Sequence, residues 1–348
     1  MLFFKKSLPP RDFYGGLIGC GYFVKYAYVP ALNNPDNPIV CCGLYSRSPG
    51  SAKIVQKMLD YKTRTLASYE ELVNSGIKFV IITVPNHLHR YYIAESLKRN
   101  LDVFCEKPPV INLKDAYELK ALLKNSGNIL LIGFNRRYLD KMKVLKRLIE
   151  EGEAGSVRQV NISYNQDIKE HILKSDWLSD KNKSGGGVLY NAGIHWINAM
   201  LDIFGKVDKV SAEFRNIKLP HNCGEDTASC RFIFHSGVKG FLEASFVNAL
   251  DCSGERITIE GNKATISTNM QERDFSIRDK TGHTRIISCP TGDFFGSIYN
   301  EMVHFAQCIK TRGTPLTDID DSIETLRVAE AARLSAIENR EISLDEVN

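Results

Sequence analysis

Five unbroken apolar runs in the first third of the chain, each followed by a segment of helical character, leave few folds open. The runs lie at 14–18 (YGGLI), 39–45 (IVCCGLY), 79–84 (FVIITV), 101–105 (LDVFC) and 129–134 (ILLIGF). They are mostly continuous, where a strand with one wet face would alternate, so they predict strands covered on both sides. Between them, SAKIVQKMLD opens on Ser51 as a cap, and NLKDAYELKALLKNSG opens on Asn112 and closes at Gly127. Strand–helix–strand repetition of this kind predicts a parallel, doubly wound sheet with right-handed crossovers.

From about residue 156 the texture changes. Segments such as SVRQVNISYNQ, TASCRFIFHS and ERITIEGNKATIST alternate with period two and break at Gly, Asn and Asp, which predicts an antiparallel meander with one covered face. A glycine-rich helical stretch at 185–205 interrupts it. Near the end, Phe295, Ile298, Met302, Phe305, Ala306 and Ile309 fall on one helical stripe, and a further helix is expected at about 318–338.

The first run leads into GLIGCGYFVK. Gly19-Cys20-Gly21 opens a G-x-G-x-x-G pattern with Val24 in place of the third glycine. The pattern is weak alone, but it follows a strand and precedes a helix, the arrangement that aims backbone N–H groups at a pyrophosphate. The first two glycines serve the turn and the close approach of the phosphates. The third serves helix–strand packing, so Val24 costs fit more than chemistry. The second run ends at Ser46-Arg47-Ser48, where an NAD site commonly carries Asp or Glu. A hydroxyl and a guanidinium suit a 2′-phosphate, so NADP is expected ahead of NAD.

The formal net charge is +4 with no long Lys/Arg cluster, which argues against a nucleic-acid binder. No apolar run reaches the length of a membrane span, and the opening MLFFKKSLPPRDFY turns charged too soon for a signal peptide. The nine cysteines form no C-x-x-C pair, which suits a reducing, cytoplasmic setting. His87 and His89 in PNHLH lack a spaced partner set, so no metal site is expected.

CEKPP (105–109), just past the fourth run, TVPNHLH (83–89), SGGGVLYNAGIHWIN (184–198) and GFNRRY (133–138) complete the pattern. Together with HFAQCIKTRGTPLTDIDDSIETLRVAEAARLSA near the end, they resemble the glucose–fructose oxidoreductase/inositol dehydrogenase/rhizopine catabolism (Gfo/Idh/MocA) family of nicotinamide-dependent oxidoreductases, from about Gly16 to Leu344. The resemblance implies an α/β fold: a dinucleotide-binding Rossmann domain over 1–135, then a substrate-binding and oligomerisation domain over 136–348 with a large open, mostly antiparallel sheet. It implies hydride transfer to or from a sugar, sugar nucleotide or cyclitol, in a homodimer or homotetramer. Two other activities of the same fold stay open, an NAD-dependent glycoside hydrolase and a non-catalytic sensor.

By motif, the resemblance puts Lys107 near the nicotinamide and the reacting oxygen, and His195 at the G-x-H position. Asn191 and Asn198 stand where Asp is common in the family, which removes a carboxylate from the site. On chemistry, reducing a ketone needs a cation at the developing alkoxide and a proton source. Lys107 offers the first and His195 the second, while Asn191, four residues before His195, shares its helix face and can orient but not transfer a proton. The expected cofactor set is Gly19, Cys20, Gly21, Tyr22, Phe23, Ser46, Arg47, Thr83, Pro85, Asn86, His89, Glu106, Lys107 and Asn135. Arg136, Trp177 and Tyr299 are expected to wall the substrate pocket with Lys107, Asn191 and His195.

Overall fold

The computed structural model describes residues 13–249, 254–289 and 294–347. It divides into two units, Met1–Tyr138 with Asp293–Ser322 and Leu139–Gly292 with Ile323–Asn348.

The first unit is a six-stranded parallel sheet in the order β3-β2-β1-β4-β5-β6. Its strands are β1 (Phe13–Ile18), β2 (Ile39–Tyr45), β3 (Arg64–Thr65), β4 (Phe79–Ile82), β5 (Asp102–Glu106) and β6 (Leu130–Gly133). β4 and β6 are buried at every position, as unbroken apolar runs require of strands covered on both faces. The two-residue β3 was not legible, since Arg64-Thr65 forms no apolar run. The helix Leu113–Ser126 starts where Asn112 accepts the Asp115 N–H and ends where Gly127 turns left-handed at φ 67°.

The chain returns to this unit late. In the helix Phe294–Thr311, Ile298, Met302 and Phe305 are fully buried in the same core as Leu17, Val40 and Leu131. The Phe305 ring meets Phe79 and Phe104 at centroid separations of 5.6 and 5.7 Å. The expected stripe is therefore core, and Phe294–Thr311 packs in the same unit as the parallel sheet.

The second unit holds a nine-stranded sheet in the order β14-β13-β12-β11-β7-β10-β9-β8-β15. The strands are β7 (Val157–Asn165), β8 (Val207–Arg215), β9 (Thr227–Phe234), β10 (Lys239–Ser245), β11 (Gly254–Gly261), β12 (Ala264–Asn269), β13 (Asp274–Asp279), β14 (Thr284–Ser288) and β15 (Ile342–Ser343). Every pairing is antiparallel except β7 with β10, which a meander alone would not contain. One face buries Val160, Ile162, Ile257 and Ile259 against Met142 and Leu145 from Asp140–Glu150 and Ala199 and Met200 from Ile194–Phe204. The other presents Asn161, Ser163, Arg231, Glu243, Arg256 and Thr258, the polar half of the period-two pattern.

Candidate active site

In the first unit the predicted cofactor residues gather at the carboxyl ends of the parallel strands. Beyond β1, Gly19 has φ 95°, and its N–H donates to the Tyr45 carbonyl at 2.8 Å. A Cβ there would lie 2.7 Å from the Thr83 carbonyl oxygen, so only glycine fits. The Thr83 hydroxyl closes the same corner, 3.0 Å from the Gly19 carbonyl. Gly21 differs: a Cβ there would meet nothing within 4 Å. The protein's own packing does not demand a glycine at 21, whereas a phosphate drawn onto the bare backbone does. The helix begins at once at Tyr22, so its first N–H groups face that spot with no acceptor inside the helix itself. These residues fit a dinucleotide pyrophosphate. Val24 is fully buried, and the turn that starts there, Val24–Tyr28, is π-helical.

Around this loop, Cys20 is enclosed, and burial pushes its thiol up to about 12, making it an inert filler. Tyr22 is 66% exposed and stacks on Tyr26, centroids 5.9 Å apart. Phe23 edges onto Tyr28 and Phe294 at 5.8 and 6.0 Å. Ser46 is half-buried and Arg47 exposed just past β2. Pro85 and the buried Asn86 begin the helix Asn86–Leu97 past β4. His89 is 1% exposed, with its ring nitrogens 2.6 Å from the Pro108 carbonyl and 2.8 Å from the Val84 carbonyl. Burial holds its pKa down to about 4, and its place is that of a brace between the turn after β4 and the turn carrying Lys107.

Lys107 follows β5 directly. Burial pushes its ammonium down to about 8, with Arg136 adding to the shift and the Glu106 carboxylate opposing it. Burial in turn raises Glu106, while the Tyr28 hydroxyl, donating to its Oε1 at 2.6 Å, and Lys107 favour the anion. A further acid completes the group. Glu301, on Phe294–Thr311, is fully buried, and neither carboxyl oxygen has a hydrogen-bond partner among the described residues. Burial and Glu106 lift its pKa well above the ordinary carboxylate range. Asn135 donates to Ser297 Oγ at 3.2 Å and accepts from Arg136 at 3.2 Å, and Arg136 lies 5.7 Å over the Phe294 ring. Tyr299 does not join them. Its hydroxyl donates to the Asp36 carbonyl at 3.3 Å, in the turn leading into β2 and at the opposite end of that strand from Ser46.

In the second unit, Asn191 lies in the π-helical turn Leu189–Gly193, and His195 follows in Ile194–Phe204, both half-buried. Asn191 Nδ2 turns back onto the Gly187 and Gly186 carbonyls at 3.2 and 3.4 Å. Asn198, 1% exposed, donates to Thr325 Oγ1 at 2.9 Å, which makes it a packing amide. Trp177 is half-buried in the same unit. Sequence reasoning did not single out Tyr28 or Glu301. Tyr28 is distant in the chain from the Glu106 it bonds, and a lone Glu on an amphipathic segment reads as a solvated face.

Among the described residues no group of three or more His, Cys, Asp or Glu could hold a metal ion, and no helix is long and apolar enough to cross a membrane. Residues 13–134 match the oxidoreductase family's NAD-binding Rossmann fold, and 142–267 match the GFO/IDH/MocA C-terminal domain. The chain belongs to the Gfo/Idh/MocA family of oxidoreductases. It is 28% identical over 337 residues, 95% of each chain, to the NAD(+)-dependent scyllo-inositol 2-dehydrogenase of Bacillus subtilis. It is 24% identical over 302 residues, 79% of this chain and 82% of the other, to an NADP(+)-dependent scyllo-inositol 2-dehydrogenase of the same organism. Its fold is that of an oxidoreductase from Agrobacterium radiobacter solved with NAD+, L-tartaric acid and magnesium, with a TM-score of 0.86, 20% identity, and coverage of 97% of this chain and 100% of that one.

Proposed function

We propose that this family member moves a hydride between a nicotinamide dinucleotide, preferably NADP, and a hydroxyl- or carbonyl-bearing carbon of a sugar, sugar nucleotide or cyclitol. The observation that carries the reading is Lys107, a half-buried lysine directly past β5, whose desolvation pushes its pKa down to about 8. A lysine at its ordinary value stays charged near neutrality, whereas one poised near 8 can both hold and release a proton there. The dinucleotide supplies the carbon that takes or gives the hydride. Lys107 Nζ takes the hydroxyl proton during oxidation and returns it to the carbonyl oxygen during reduction, with its ammonium form stabilising the alkoxide between. Glu106 sets how readily Nζ holds that proton. His195 offers an imidazole as a second proton carrier, Asn191 orients by hydrogen bonding, and Arg136 and Trp177 contribute to substrate recognition.

The preference for NADP rests on Ser46 and Arg47, where no carboxylate stands to repel a 2′-phosphate. The substrate class rests on the two relatives that act on scyllo-inositol, one with each dinucleotide. We extend the reading to a homodimer or homotetramer in the cytoplasm, where the free thiols of the described cysteines are at home.

Thermal shift with NAD+ and NADP+ tests the reading first, followed by reduction of the bound-form dinucleotide with scyllo-inositol, myo-inositol, glucose 6-phosphate and a UDP-sugar. Stabilisation follows RT ln(1 + [L]/Kd), so a tight ligand declares itself before turnover is found. Lys107→Met should keep dinucleotide binding and lose roughly 10²–10³ in rate. A Lys107→Met protein that turns over normally removes the lysine from the chemistry.

A further inference from the structure

The helix bearing Asn191 and His195 starts without a cap of its own. No side chain adjoining its first turn accepts a hydrogen bond from it, and Val188 precedes the π-helical turn, a residue type that cannot cap. Its leading N–H groups are taken instead by one residue from another part of the chain. Glu225 Oε2 accepts from the Gly187 N–H at 3.1 Å, Oε1 accepts from the Leu189 N–H at 2.9 Å, and the Glu225 backbone carbonyl accepts from the Val188 N–H at 2.8 Å.

The contact is held from both sides. A Cβ at Gly187 would lie 1.9 Å from the Glu225 carbonyl oxygen, and one at Gly224 would lie 2.4 Å from the Gly187 nitrogen, so the two backbones meet with no room for a side chain. The neighbouring Asp226 faces another loop, accepting from the N–H groups of Ile217, Lys218 and Leu219 at 2.7 to 2.9 Å. Two adjacent carboxylates at the start of β9 thus fix two loops. The Gly187 carbonyl, whose amide group Glu225 holds, receives both the backbone N–H of Asn191 at 3.1 Å and its side-chain amide at 3.2 Å. The chain of contact runs without a gap from Glu225 to the Asn191 side chain.

We propose that Glu225 is a positioning residue for the reaction: through Gly187 and Leu189 it sets the π-helical turn that aims Asn191 and, four residues on, His195. This rests on the reading of those two side chains as reaction residues. A buried anion held only to cap a helix is poor economy, because burial raises the Glu225 pKa in spite of its backbone donors. Two N–H groups converging on separate oxygens need a carboxylate, since an amide offers one acceptor and turns a donor on the other N–H. The charged and titratable groups around it are Asp226 beside it, Tyr190 on the turn it holds, Cys230 on β9, and the Glu330–Arg333 pair behind Tyr190.

Glu225→Gln tests the proposal on the full-length protein, read by amide hydrogen exchange over 186–196, by NMR titration of the His195 imidazole, and by NAD(H) fluorescence. The expected result is exchange at least about tenfold faster at Gly187 or Leu189, a displaced His195 titration curve, and unchanged NAD(H) affinity. With whichever probe of the screen is turned over, kcat should fall more than KM rises, and Glu225→Asp should restore less than half the loss because it cannot reach both N–H groups. Unchanged exchange together with an unchanged His195 titration overturns the proposal. If Glu225→Gln does not fold, the wild type still decides. Protection at Gly187 and Leu189, corrected for intrinsic exchange, should fall on acidification as Glu225 gains a proton, and flat protection overturns the proposal. His195→Gln is the control for the underlying reading, since full turnover in that variant refutes the reaction role while leaving the exchange result intact.

Discussion

Tyr28 and Glu106, 78 residues apart in the chain, meet hydroxyl to carboxylate at 2.6 Å beside Lys107. The hydrogen bond favours the Glu106 anion, and that anion in turn favours the Lys107 ammonium. Tyr28→Phe removes the donor, so Glu106 ionises less readily and Lys107 gives up its proton more readily. If Lys107 carries the proton as proposed, the rate limb it sets should move to lower pH by roughly half a unit to one unit. A pH–rate profile of the variant checks this, and an upward or absent shift rejects the coupling.

Arg47 carries the cofactor prediction. Arg47→Ala should weaken NADP by about 1.5–3 kcal/mol, the worth of a charge-assisted hydrogen bond, and spare NAD. Fluorescence titration of both dinucleotides into both proteins gives the answer. Equal affinities in the wild type would remove Ser46 and Arg47 from 2′-phosphate recognition.

His195→Gln should flatten one limb of the pH–rate profile and slow turnover by roughly 10²–10⁴. Asn191→Asp should move the same limb to higher pH, because a nearby anion favours the imidazolium. Asn191→Ala should slow turnover less and leave the limb in place. A limb that survives His195→Gln assigns proton transfer to Lys107 alone.

Glu301 predicts a stability effect with a definite sign. Its pKa in the fold lies well above the ordinary 4.5, so the protonated form's contribution is complete below 4.5 and is lost as pH rises toward the folded value. Glu301→Gln keeps the shape and cannot ionise. Relative to wild type it should gain melting temperature at about pH 9 and little at about pH 5. The same difference at both pH values would mean that Glu301 does not titrate in the fold.

How much of this was legible in the sequence depends on the range of the interaction. The strands of the first sheet were plain because a doubly covered strand must be apolar throughout, as 79–82 and 130–133 are. Lys107 and His195 stand out in the sequence because each sits in a local motif. Partnership between distant segments was not. Period-two alternation identifies β7 and β10 as strands but says nothing of their running parallel. Glu225 and Glu301 look on the page like any other Glu, and only the fold shows that both are enclosed. Tyr299 had the right residue type on the right helix, but its hydroxyl is spent on the Asp36 carbonyl.

The late return of Phe294–Thr311 to the first sheet bears on how this protein can be cut and recombined. A chimera that exchanges only the leading 135 residues to change dinucleotide preference leaves Ile298, Met302 and Phe305 behind, and with them the surface against which Phe79 and Phe104 are packed. Mismatching several large buried side chains at once can cost as much as the whole stability of an ordinary domain. The exchangeable module is discontinuous, and a working graft has to carry two separate lengths of chain across together.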